Sequence, residues 1–86
     1  MAVRIDLQIG SVFTFPQGVD SGASAWTNIN GDSSVSGVRA IVMELDSDTR
    51  PIGVHLWHEG EFKPNLNGAR QCFWFSESAI ANVTQL

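Results

Sequence analysis

Apolar and polar residues alternate along much of this chain with a period of two, the spacing that sends successive side chains to opposite faces of a β-strand. In residues 3–7, Val3, Ile5 and Leu7 alternate with Arg4 and Asp6, which predicts a first strand. Gln8-Ile9-Gly10 leads into a second, residues 11–15 (SVFTF), which Pro16 ends because proline has no amide donor for a ladder. Residues 17–37 read QGVDSGASAWTNINGDSSVSG and break the alternation. Their Gly, Ser, Asp and Asn content predicts a long loop, with a short strand at 25–29 and a tight turn at Asn30-Gly31. Loops longer than about 12–15 residues are uncommon in compact domains and are often functional.

The clearest strand is residues 38–45, with Val38, Ala40 and Val42 on one parity and Ile41, Met43 and Leu45 on the other. Apolar residues on both parities indicate that both faces are partly covered. A polar turn follows at 46–51 (DSDTRP). In residues 52–57, Ile52, Val54 and Leu56 alternate with Gly53, His55 and Trp57, so the first set faces the core and the second faces outward. Residues 58–70 form a connection anchored by Phe62 and Leu66. Residues 71–75 (QCFWF) make an aromatic strand. Residues 76–80 (SESAI) make one helical turn with Ser76 at its cap, and 81–83 close the fold as a short strand. No helical stripe lasts three turns. Five or six short strands with Gly and Pro turns indicate an all-β sandwich or small barrel.

Eighty-six residues suffice for one domain and are too few for two. Stability is expected at about 4–13 kcal/mol from the usual per-residue range. The single cysteine, Cys72, excludes an intrachain disulfide and fits a reducing compartment. The N-terminal MAVRIDLQIG has no secretory pattern, and no apolar run is long enough to span a bilayer, so no membrane role and a cytoplasmic location are expected. A net charge of −4 argues against nucleic-acid binding, where Lys and Arg must neutralise phosphates, and suits a basic protein partner.

Catalytic chemistry finds little support. His55 and His58 are three apart, which on a strand sends them to opposite faces. Cys72 lies within an aromatic run and reads as a small apolar core residue. Neither GxxxxGK[ST] nor GxGxxG occurs. No metal site and no cofactor are expected. Binding has better candidates. Tryptophan buries much area with little entropy loss and is enriched at interface hot spots. Trp26, in the polar loop, is the first candidate anchor, and Trp57 with its same-parity neighbour His55 the second. On that reading Trp26→Ala leaves the fold intact and weakens partner binding. Asp32, Asp46 and Asp48, in loops or turns, are candidate steering charges.

From Ser11 onward the order of parts resembles the SH3-like barrel superfamily. A first strand (SVFTF) precedes a long polar loop, GVRAIVMELDSDTRPIGVHLW is similar to the paired strands of KOW- and Tudor-like barrels, and FWFSESAI resembles the closing piece of bacteriophage SH3-like proteins, where an aromatic strand meets a short helical turn. The resemblance implies a five- to six-stranded SH3-like barrel with one short helical turn near the C-terminus. The ligand-binding tyrosines of signalling SH3 domains are missing, because the chain has no tyrosine, and the basic stripe of KOW domains is missing too. The expected function is a non-catalytic protein-binding module, of the kind that phages or mobile elements use to occlude a host or defence protein. The alternatives are a small structural subunit of a virion or other assembly, with a homo-oligomer through a strand edge as one form of it, and a nucleic-acid-binding SH3-like domain.

Overall fold

The computed structural model describes residues 7–46 and 52–86. Among them the elements run β1 (Val12–Thr14), α1 (Ser24–Asn30), β2 (Arg39–Leu45), β3 (Ile52–His58), β4 (Glu61–Lys63), a 3₁₀ turn (Ala69–Gln71), β5 (Phe73–Phe75), α2 (Glu77–Ile80) and β6 (Thr84–Gln85). The fold is mostly β, as the alternation predicts. The expected strand at 3–7 lies outside the described residues except for Leu7, which is buried in the core. Most of the 46–51 turn, Asp48 included, also lies outside them.

The six strands form one antiparallel sheet in the order β4-β3-β2-β1-β6, with β5 paired to β3. Strand β3 is the hub. One of its edges is taken by β2, and the other is shared by β5 at residues 52–54 and β4 at residues 56–58. Among the described residues β6 pairs only with β1, so the sheet is not closed on itself.

Alternation decides which side of the sheet is dry. Phe13 from β1, Ala40 and Val42 from β2, Ile52, Val54 and Leu56 from β3, and Phe73 and Phe75 from β5 share one buried cluster. Ile80 and Val83 close its end. Phe15 meets Phe13 edge-on at 5.0 Å and Phe75 at 4.7 Å between ring centroids. The register of β2 on β3 shifts between Val42 and Glu44. The extra residue is Met43, so Val42 faces the core with Val54 while Glu44 faces outward opposite Gly53.

The segment 17–37 is more ordered than its composition suggests. Its two limbs pair beyond β1 and β2: Val35 N–H donates to Val19 O, Ser21 N–H donates to Ser33 O, and Asp20 bridges Ser34. Between them the expected strand at 25–29 is instead the helix α1. Asn30-Gly31 is not a hairpin turn but the end of that helix: Gly31 has φ +94° and its N–H returns to Thr27 O at 2.9 Å. A left-handed residue serves both as a hairpin turn position and as a helix C-cap, so the dipeptide alone does not tell them apart.

The C-terminal expectations shift by small amounts. The helical turn appears as α2 after Ser76, while the last strand falls at Thr84–Gln85 rather than 81–83. The connection at 58–70 contains a strand that alternation did not reveal, β4, only three residues long.

Candidate functional site

The first sequence candidate is overturned. Trp26 is 0% exposed and belongs to the core. Helix α1 carries it inward, where it meets Phe73 at 6.0 Å and the His58 ring at 5.9 Å, both edge-on. Its indole Nε1–H donates to Ser34 O at 2.8 Å, which satisfies the one polar atom the ring brings inside. A ring so enclosed offers nothing to another molecule.

The loop carboxylates are largely committed to their own chain. Asp32 Oδ1 accepts from Ser34 N–H at 2.8 Å, a local Asx turn. Asp20 accepts from Gly22 N–H and from the Ser33 hydroxyl. Asp46 accepts from Arg70 Nη2 at 2.7 Å. Asp48 lies outside the described residues.

His55 and Trp57 do stand together on the face of the sheet away from the core, as parity requires. Cross-strand partners share a face, so the register names their neighbours. One row is Val12, Ile41 and His55; the next pairs Thr14 with Arg39 and Trp57 with Phe62, and continuing the β2–β3 register one residue past Ala40–Leu56 sets Arg39 beside Trp57. Trp57 meets its partner Phe62 edge-on at 4.9 Å, and the Arg39 guanidinium lies 5.3 Å from the Trp57 ring centroid. Val12, Ile41, Trp57 and Phe62 are all half-buried, which leaves an apolar floor with an exposed cation above it.

The alternation does not single out Arg39, and it places Phe62 as an anchor within a connection, because a three-residue strand has too little alternation to be seen. The signal for Arg39 was present in principle: in a β2–β3 hairpin the residue opposite Trp57 lies at a fixed register. The bulge at Met43 hides that register from anyone counting back from the turn.

One end of this face is capped by the segment joining β4 to β5. Trp74 lies over Gly53, where an added Cβ would come within 3.0 Å of the ring and of Cys72 Cβ. The Arg70 guanidinium stacks on Trp74 at 4.6 Å and pairs with Glu44 at 3.5 Å as well as with Asp46. Arg70 and Gln71 both hold positive φ, 53° and 58°, a conformation unfavourable to residues with a Cβ. Burial lowers the His55 pKa from its ordinary value, and the nearby Gln71 backbone opposes the shift only in part. Burial also raises the Cys72 pKa, with the charge of Glu44 adding to the effect and Arg70 opposing it.

His58 points to the opposite side, against Trp26, with Glu59 at 3.6 Å. Among the described residues no group of three or more His, Cys, Asp or Glu is gathered in a way that could hold a metal ion. Among the described residues no helix is long and apolar enough to cross a membrane. A shallow open pocket of about 170 Å³ lies between Asp20–Gly22 and Trp74–Ser76. It is smaller than the roughly 300–1,000 Å³ that usually encloses a small-molecule ligand. Compared with known proteins, the chain matches no family model, no curated protein and no solved structure.

Proposed function

We propose that this chain is a non-catalytic protein-binding module of the SH3-like class, and that its docking surface is the outer sheet face around Trp57. The class is supported by the strand path β6-β1-β2-β3-β5, by the long excursion between β1 and β2, and by the short helix placed just before β6. In this reading β4 is an added hairpin arm on β3.

The observation that carries the binding reading is the Trp57 cluster. Trp57 and Phe62 form a rigid aromatic pair outside the core, flanked by Ile41 and Val12 and topped by Arg39. Tryptophan and arginine, centred on a flat apolar floor, are the residue types that dominate interface energetics. The basic partner expected from net charge loses much of its support, because Asp32 and Asp46 are bonded within the chain. A module of this size acts by covering a surface of its partner, with no bond made or broken.

The test is affinity capture from the lysate of the source cells with the wild-type chain, with Trp57→Ala, and with Leu66→Ala as a control at an exposed apolar residue outside the strands that form the Trp57 cluster. Thermal melts first establish that each variant is folded. A protein retained by wild type and Leu66→Ala but lost by Trp57→Ala supports the assignment. Equal retention by all three removes the face from consideration, and retention of nothing by wild type removes the module reading itself.

A further inference from the structure

The cations of this acidic chain are unequally occupied. Among the described residues Lys63 pairs with Glu61 at 3.5 Å, and Arg70 with Glu44 and Asp46. Lys63 also lies on the core side of β4, since it is the partner of buried Leu56. Arg39 differs on both counts. It is exposed on the outer face, and no carboxylate among the described residues is paired with it. Its guanidinium is held by the Trp57 ring at 5.3 Å, and its cross-strand neighbour on the other side is the neutral Thr14.

A guanidinium over an indole keeps its planar fork of donors directed away from the ring. The aromatic contact restrains a flexible side chain before any ligand arrives, which lowers the entropic cost of engaging one. In a chain with net charge −4, an exposed arginine with no carboxylate paired to it is, among the described residues, the strongly anion-seeking point on this face. Around it the surface is apolar: Ile41, Val12, Trp57 and Phe62.

We propose that this face receives an extended protein segment that places one carboxylate, from Asp or Glu, on Arg39 and lays apolar side chains on Trp57, Phe62 and Ile41. The inference rests on the reading of the outer face as a docking surface and adds the chemistry of its partner. A carboxylate matches the guanidinium fork with two parallel hydrogen bonds. A nucleic-acid strand is disfavoured because it needs several cations along its path, and here the described residues of the face supply one unpaired cation. Phosphopeptide sites likewise gather several arginines. A second copy of the chain is a poorer occupant, because an isologous contact brings two copies of the same face, and hence two unpaired Arg39 side chains, together.

The test uses the full chain and a displayed library of unphosphorylated linear peptides. Recovered peptides should carry Asp or Glu beside apolar residues. Changing that acid to its amide should weaken binding about tenfold or more, as expected for loss of a charge-assisted pair. Arg39→Met keeps an apolar stem on Trp57, removes the charge, and should produce a loss of similar size. Combining the two changes should cost little more than either alone. Peptides that are enriched in lysine and arginine, that lack acids, or that fail to emerge at all overturn the proposal. Binding lost with Trp57→Ala but unchanged with Arg39→Met overturns the carboxylate and leaves the docking face standing; binding indifferent to both overturns the two together. Sedimentation of the free chain supplies a further arm: a dimer that Arg39→Met abolishes assigns the face to self-association and overturns the proposal.

Discussion

Replacing Trp26 by alanine should come close to unfolding the protein. The side chain is 0% exposed, sits between Phe73 and His58, and donates its indole N–H to Ser34 O at 2.8 Å. Trp→Ala in a packed core costs about 3–5 kcal/mol, through lost transfer energy and the cavity left behind. Part of the loss at Ser34 is cushioned, because the Asn30 side-chain amide also approaches the same carbonyl at 3.5 Å. The whole domain is worth about 4–13 kcal/mol on per-residue scaling, so one substitution removes a large share of it. With a urea slope near 1 kcal/mol/M, typical at the small end, the midpoint should fall by about 3 M or more. Far-UV circular dichroism in urea follows the backbone, and the fluorescence of Trp57 and Trp74 reports the rest of the fold. Trp26→Phe refills much of the volume and should recover at least half of the lost stability. A loss below about 1 kcal/mol for Trp26→Ala, with the slope unchanged, would refute the placement of this ring in the core and restore the segment 17–37 as a free loop.

Three further outcomes follow from the packing of the outer face. Gly53→Ala drives a methyl group to 3.0 Å from Trp74 and Cys72; overpacking of about 1–3 kcal/mol should lower the melting temperature by several degrees per kcal/mol in calorimetry, and an unchanged melt would show that Trp74 is free to move. Burial lowers the folded-state pKa of His55 below that of the unfolded chain, so its stabilisation is complete above the ordinary value of 6.5 and is lost as pH falls through the lower folded value. Melting temperature should therefore decline from pH 7 to pH 5, less steeply in His55→Asn; equal slopes would refute the role of His55. Cys72 is buried with its pKa raised, so iodoacetamide should label it slowly in the native state and rapidly in urea, as mass spectrometry can follow; equal rates would contradict its burial.

How much of this was legible depended on how each residue's local signal related to its distant partners. Strands β2 and β3 announced themselves because seven-residue runs carry enough alternation to fix which parity is dry, and His55 and Trp57 were placed on the outer side for that reason. Trp26 reads as a loop residue because its neighbours are Ser, Ala, Thr and Asn, and a polar context says loop. The real signal was the spacing of Trp26 and Ile29, three apart on one face of a two-turn helix, which is too short to rise above the surrounding composition. Asn30-Gly31 then misdirected, since a left-handed glycine closes a helix as readily as a hairpin. Strand β4 is three residues long, and its existence depends on the edge that β3 offers it rather than on anything local.

These errors share a cause that bears on function. A small β-sheet leaves one side of itself dry, and a chain of this length has few apolar residues with which to dry it. Here an amphipathic turn is borrowed from the β1–β2 excursion, so the most conspicuous aromatic of the loop is spent on the interior and the loop acids are spent on holding that excursion in place. Among the described residues the other side of the sheet is covered at one end, by the strained Arg70-Gln71 corner and the ring of Trp74. Among the same residues the strip beyond His55 is left half-buried, and no carboxylate is paired with Arg39. A self-contained domain has no structural need for an unpaired arginine stacked over half-exposed tryptophan, since polar residues at those positions would keep the sheet soluble at lower desolvation cost. The incomplete cover and the unpaired cation occur at the same place, and a partner that supplies apolar side chains and a carboxylate together resolves both.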